Sequence, residues 1–151
     1  MWYNELIKQW RCTMGLFDIF KKKSVSVKES ETTIPQESKN WDKMWELWED
    51  ERAESPYQEL MTYQAEVNNG GHSQFFLNVD NTGDVDAVVS VLLSVLSGAL
   101  SRNLEKAYTA YKKYNESNEE KMDDILEKCD DVFYENESDV NEILEKYSQT
   151  L

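Results

Sequence analysis

The sequence predicts an all-α fold: a single compact domain of about six or seven helices packed around a central apolar helix, behind a flexible N-terminal arm. Three observations carry that expectation. From Asn40 onward, apolar residues recur at i, i+3, i+4 and i+7, the spacing of one helix face. No pair of strand-like runs is joined by a hairpin turn. One run, Asp84–Leu100 (DVDAVVSVLLSVLSGAL), is apolar nearly all round, which suits a helix enclosed by others. At 151 residues the chain is long enough for one domain with a real core.

Residues 1–39 read as a flexible arm and linker, and residues 40–151 as the helical domain. In the arm, Met14–Lys23 (MGLFDIFKKK) sets Leu16, Phe17, Ile19 and Phe20 ahead of three lysines. Such a short amphipathic segment, Gly15–Lys23, allows a weak contact with an anionic membrane surface. The plainer reading is a floppy leader with Met14 as an alternative start. The myristoylation pattern fails, because Ile19 stands where Ser or Thr is needed. Lys21–Asn40 is polar, rich in Ser and Thr, and broken by Pro35, which suits a linker.

The helices then follow in order. Trp41, Met44, Trp45 and Trp48 share one face. Ser55-Pro56-Tyr57-Gln58 opens a second helix, with Ser as cap, Pro in the first turn and Gln at the capping-box position. Its inner face holds Leu60, Met61 and Ala65, with Tyr57 and Val67 beside them, and Asn68-Asn69-Gly70-Gly71 ends it. Val85–Leu100 is shorter than the ~20 apolar residues of a membrane span and carries Ser90, Ser94 and Ser97. It is longer than the ~4–8 residues of a buried strand, so the central helix is the better reading. Gly98 marks a close helix contact or a break. Leu104, Ala107, Tyr108, Tyr111 and Tyr114 form the next stripe. Ser117-Asn118-Glu119-Glu120 is a capping box before Met122, Ile125, Leu126, Cys129, Val132 and Phe133. After Glu135–Ser138 a last helix carries Val140, Ile143, Leu144, Tyr147 and Leu151.

Charge narrows the functional classes. The chain has 30 acids and 16 bases, a formal charge of −14. A nucleic-acid ligand needs Lys and Arg to displace its counterions, so direct nucleic-acid binding is not expected. A basic protein partner is. The imbalance is local: residues 1–30 hold six bases and three acids, whereas Tyr114–Leu151 holds thirteen acids and three bases. In that last region Glu116, Glu120, Asp123, Asp124, Glu127, Asp130 and Asp131 recur every three or four residues, opposite the Met122–Phe133 stripe. Side chains so spaced stand ~5–6 Å apart and repel by a few tenths of a kcal/mol per pair. They make either an acidic ridge that occupies a partner's basic groove or a solvated helix face.

Catalytic chemistry is sparsely represented. His72 is the single histidine, and Cys12 and Cys129 form neither a disulfide framework nor a metal-ligand spacing. No Gly-x-Ser-x-Gly elbow or phosphate-cradling loop occurs. The reading is therefore not an enzyme, with no metal and no cofactor, in a reducing cytoplasmic setting. His72, after a glycine pair, reads as a solvated turn residue sooner than a base.

One stretch is more specific. In Glu66–Asn78 (EVNNGGHSQFFLN), Gly70 or Gly71 can take the left-handed conformation that ends a helix, and the second glycine lets the chain turn at once. Phe75, Phe76 and Leu77 then enter the core, while Glu66, Gln74 and Asn78 satisfy the loop's polar groups. This is a helix–turn–helix corner held by a polar network, or, as the minority reading, a binding pocket. Glu66, Asn69, Gly70, Gly71, Gln74, Phe75, Phe76 and Asn78 resemble, in order and spacing, the hallmark of a bacterial DNA-mimic-type domain family of largely unknown function. Gly83, the apolar helix and Leu126–Tyr134 (LEKCDDVFY) also look like the family pattern. The likeness covers roughly Trp41 to Tyr147, and His72 departs from the apolar or aromatic residue expected after the glycines.

The resemblance implies a non-enzymatic interaction protein that mimics DNA to occupy the basic site of a DNA-binding regulator, with a homodimer as one option. The alternatives are an immunity- or antitoxin-like inhibitor of a basic toxin, and a small-ligand binder using Glu66, His72, Gln74 and Asn78.

Overall fold

Five α-helices follow one another through residues 36–151, the part of the chain that the computed structural model describes: α1 (Gln36–Glu49), α2 (Tyr57–Thr82), α3 (Val85–Val95), α4 (Gly98–Tyr114) and α5 (Glu119–Ser148). No strand occurs among these residues. The Gly15–Lys23 segment, Cys12 and the rest of residues 1–35 lie outside them. Residues 36–39, expected to be linker, are helical.

On α1, Met44 is fully buried, with Trp41, Trp45 and Trp48 half-buried beside it. The tryptophans meet edge to face, at 6.3 Å for Trp41–Trp45 and 5.4 Å for Trp45–Trp48. The Trp48 indole N–H donates to Thr62 Oγ1 at 3.0 Å, which ties α1 to α2. The capping box expected at Ser55–Gln58 does not form. Pro56 stands at the head of α2 without a side-chain cap, and the Gln58 amide donates instead to the Trp48 carbonyl at 3.3 Å.

The helix boundaries differ from the expectation in two places. Glu135–Ser138 holds no Gly or Pro, so the last two expected helices run together as the 30-residue α5, ~45 Å long. The α5 cap is Asn118 rather than Ser117, its side chain accepting from the Lys121 N–H at 3.0 Å. The opposite happens in Val85–Leu100, which is not one helix. Leu96 and Ser97 are extended and Gly98 has φ 58°, so the run splits into α3 and the start of α4.

Nor is that run the centre of the fold. α3 buries Val85, Val89 and Leu92 and exposes Asp86, Ser90 and Ser94. It packs on α2 and α4 as an amphipathic flanking helix, started by the Asp84 side chain, which accepts from Asp86 N–H and Ala87 N–H at 3.0 and 3.1 Å. The serines decide this, because a helix with polar residues on one side is stable with that side wet. The central place belongs to α5, which packs on α1, α2 and α4.

The core is aromatic around Tyr63, which meets Phe75 at 5.0 Å and Phe133 at 5.3 Å, both edge to face. Phe76 stacks on Tyr111 at 4.7 Å, and Tyr57 stacks on Tyr147 at 3.8 Å. Buried Asn103 donates to the Cys129 carbonyl at 2.7 Å, pinning α4 to α5. Cys129 is a free, buried thiol. Leu77 was expected in the core with Phe75 and Phe76, yet it is 59% exposed, because two consecutive inward positions on a helix turn the third outward. Among the described residues no helix is long and apolar enough to cross a membrane.

Chemical denaturation separates the two neighbours. Phe76→Ala should cost about 3–5 kcal/mol, whereas Leu77→Ser should change stability by no more than ~0.5 kcal/mol.

Candidate functional site

The site is built at the one place where α2 breaks. Gly70 (φ −151°, ψ 21°) and Gly71 (φ 74°, ψ −175°) leave the helical region in mid-helix. Gly71 has the positive φ expected, but its extended ψ puts it in a region essentially confined to glycine rather than in the left-handed helical well. Space excludes a side chain as well. A Cβ on Gly71 would lie 2.2 Å from Asp130 Oδ2 and 2.9 Å from its Cγ. The second glycine thus lets the α2 backbone approach a carboxylate of α5.

The polar side chains expected to satisfy the loop's backbone groups instead bond to one another across the break. Glu66 Oε2, on the first limb of α2, accepts from the Gln74 amide at 2.7 Å and the Asn78 amide at 2.8 Å, both on the second limb. One carboxylate therefore clamps the two limbs together. Phe75 and Phe76 are fully buried behind it.

His72 is not the solvated turn residue expected. It is fully buried and bonded at both ring nitrogens. Nδ1 lies 2.5 Å from Asp130 Oδ1, and Nε2 lies 2.8 Å from the Tyr63 hydroxyl. The His72 backbone N–H also donates to Asp130 Oδ1, at 2.8 Å. A carboxylate can only accept, so Nδ1 carries a proton, and Nε2 pairs with the Tyr63 hydroxyl. Burial, then the charges of Cys129 and Asp130, push the Tyr63 phenol well above its ordinary value and keep it protonated. His72 heads the second limb of α2, where N–H groups lack helical partners and the helix dipole favours an anion. Asp130 fills the role of an N-cap from another helix.

Asp130 was expected on the acidic ridge. Its side chain is only 20% exposed and is engaged by His72, so its first role is structural. It belongs to a polar seam along the edge of α5 that the pattern of no single helix reveals. Ser73 Oγ donates to Asp123 Oδ1 at 3.1 Å, and Tyr134 Oη donates to the Val67 carbonyl at 2.9 Å. Glu137 accepts from the Gln64 and Asn68 amides at 2.9 and 2.6 Å, and Asn141 accepts from the Gln64 amide at 2.8 Å. The available signal was a pair of matched spacings: Gln64 and Asn68 four apart on α2, Glu137 and Asn141 four apart on α5.

The other ridge residues, Glu116, Glu120, Asp123, Asp124, Glu127 and Asp131, are exposed. Asp123 is itself part of the seam, Glu120, Asp124, Glu127 and Asp131 are carried by α5 beside it, and Glu116 lies in the turn before α5. Exposed Glu135, Glu142 and Glu145 continue the same face to the end of α5.

An Asp–His–Tyr chain has the form of a proton relay, yet His72 and Tyr63 are both fully buried. Two surface clefts, of about 480 and 400 Å³, lie elsewhere. One is lined by Arg102, Lys106, Lys113 and Tyr114, the other by Asp80, Tyr111, Lys112 and Glu116. The corner is packed.

Residues 52–150 match the family model of the DMP19-like protein. The chain belongs to this family. The DMP19-like region takes in α2 to α5, and with them the glycine corner, the seam and the acidic face; α1 lies outside it. Neither the curated proteins nor the solved structures yielded a significant match.

Two measurements check the corner. In thermal or chemical denaturation, Gly71→Ala should cost at least ~2 kcal/mol through backbone strain, and the Gly70→Ala/Gly71→Ala double variant no less; undiminished stability would refute the structural role. Asp130→Ala should cost ~2–3 kcal/mol, because it strands buried donors, while Asp131→Ala stays within ~0.5 kcal/mol. Alkaline titration checks the phenols. Burial, followed by the hydrogen bond to Asp80, pushes Tyr111 up from 10.0 to about 12. The unfolded chain therefore loses this proton first, so its contribution is intact below pH 10 and disappears as pH rises towards 12. Tyr111→Phe should flatten the decline.

Proposed function

We propose that this DMP19-like chain is an acidic, non-enzymatic interaction protein whose α5 face occupies the basic site of a DNA-binding protein. The observation that carries this reading is the register of exposed carboxylates. Glu120, Asp124, Glu127, Asp131, Glu135, Glu142 and Glu145 stand on successive turns of α5, with Ser138 as the one uncharged position in the series. The stripe runs ~37 Å at 1.5 Å per residue. That is one negative charge every ~6 Å, against one phosphate per ~3.4 Å of axis on a DNA strand.

Helix stability does not account for the stripe. Acids favour the first turn of a helix and disfavour the last, yet Glu142 and Glu145 lie near the C-terminal end. Neighbouring like charges also repel by ~0.2–0.5 kcal/mol per pair. A groove lined with Lys and Arg relieves both costs. The seam and the core hold α5 in place, so the charges are arrayed before a partner arrives. Membership of the DMP19-like family supports the same reading.

The test immobilises the full chain, exposes it to native lysate and elutes with a salt gradient. The expected result is a basic DNA-binding protein released at moderate salt, because such contacts are screened, and displaced by duplex DNA. A Glu120→Lys/Asp124→Lys/Glu127→Lys/Asp131→Lys variant of unchanged helicity should lose it. Capture that survives the charge reversal would contradict the proposal.

A further inference from the structure

Tyr134 breaks the pattern of the chain's surface. Among the described residues, Leu77 and Tyr134 are the large hydrophobic side chains left exposed, Tyr134 at 48%. Its ring is not free to swing: the hydroxyl donates to the Val67 carbonyl at 2.9 Å, and Phe133 meets the ring edge to face at 5.8 Å. It is therefore a fixed aromatic surface with one side open.

Its surroundings are anionic. Asp131 and Glu137, one turn to either side on α5, share its face, with Asp130 four residues before. Burial, then Asp130, Glu137 and Asp131, push the Tyr134 phenol above its ordinary value, which places all three carboxylates within electrostatic reach of the hydroxyl. Asp131 is exposed and has no hydrogen-bond or ion-pair partner among the described residues.

Two partly buried tyrosines of α4 are treated differently. Lys112 Nζ stands 5.8 Å from the Tyr108 ring centre, and Lys113 and Lys121 stand 5.2 and 4.8 Å from that of Tyr114. Among the described residues no cation of the chain covers Tyr134. An electron-rich ring, fixed, half-open and set among carboxylates, is what a guanidinium recognises: its plane stacks on the ring while its N–H groups reach a carboxylate.

We propose that Tyr134, with Asp131 beside it, is an arginine-capture site within the acidic face, and that it makes the face prefer arginine over lysine. This rests on the reading of α5 as a surface for a basic partner. The site adds to a charged stripe the kind of aromatic anchor that concentrates binding energy at protein interfaces. A diffuse charge array alone does not distinguish the two cations. A stacking site does, because the flat, weakly hydrated guanidinium stacks and the ammonium does not.

The test uses the full chain and two probes of equal charge, octa-arginine and octa-lysine peptides, titrated by calorimetry at low salt. Wild type should bind octa-arginine more tightly than octa-lysine by about two- to fivefold, the range that an exposed cation–π contact supports. Tyr134→Leu should abolish the preference and leave octa-lysine affinity unchanged. Tyr134→Phe keeps the ring and should keep most of the preference; it also guards against a folding defect in the Leu variant. Equal affinity for the two peptides in wild type, or a preference that survives in folded Tyr134→Leu, would overturn the arginine site while leaving the acidic face intact. If neither peptide binds, or the four-Lys variant binds both as wild type does, the reading of the acidic face fails, and the arginine site with it.

Discussion

The Asp130 carboxylate meets the backbone N–H and the ring Nδ1 of His72 across a break that two glycines make in α2. Much of the fold follows from this contact. An unbroken helix of 26 residues would run ~39 Å in one direction and could lay only one stripe against α5. The break gives α2 two limbs, each able to bury its own side chains: Leu60, Met61, Tyr63 and Val67 before the glycines, Phe75, Phe76 and Val79 after them. A broken helix also leaves N–H groups without partners, which is costly in a buried place. Asp130 supplies the acceptor, and its charge meets the positive end of the new helix. Gly71 has no side chain because the carboxylate stands where one would be.

The same helix then serves three purposes on three faces. Met122, Leu126, Cys129, Phe133, Val140, Leu144 and Tyr147 turn inward. Asp123, Asp130, Tyr134, Glu137 and Asn141 form the edge that is hydrogen-bonded to α2. The remaining acids face solvent. The bonded edge fixes the rotation of α5 about its own axis, and so fixes which carboxylates are presented. In this way the corner that organises the core also aims the acidic face and holds the Tyr134 ring in place beside it.

Much of this was legible in the sequence. The apolar stripes named most of the buried residues of α4 and α5, because helical period is a local property, but on α2 they missed Tyr63 and took in Ala65, which is only partly buried. The glycine pair and the Glu66–Gln74–Asn78 clamp were readable for the same reason, all lying within thirteen residues. His72 was misread because its partners are distant in kind or in sequence: Tyr63 is nine residues back on an inner face, and Asp130 is 58 residues on. Asp130 was counted with the ridge because it lies at the border between the solvent face and the α2-facing edge, and spacing alone does not say on which side a border residue falls. In Val85–Leu100 composition points to an enclosed helix, whereas period points to a flanking one. Its serines fall on one side and Gly98 ends it, so the apolar residues serve two helices meeting at an angle rather than one enclosed helix.

The most direct test of the account is amide hydrogen exchange at His72 in the folded chain. The first N–H after a helix break exchanges quickly when only water accepts it. With Asp130 as its partner, the His72 amide should be protected to the level of the core amides of α5, opening only with global unfolding. Exchange at the rate of an exposed loop amide would mean that Asp130 does not cap the second limb of α2, and that the corner does not hold the α5 face in place.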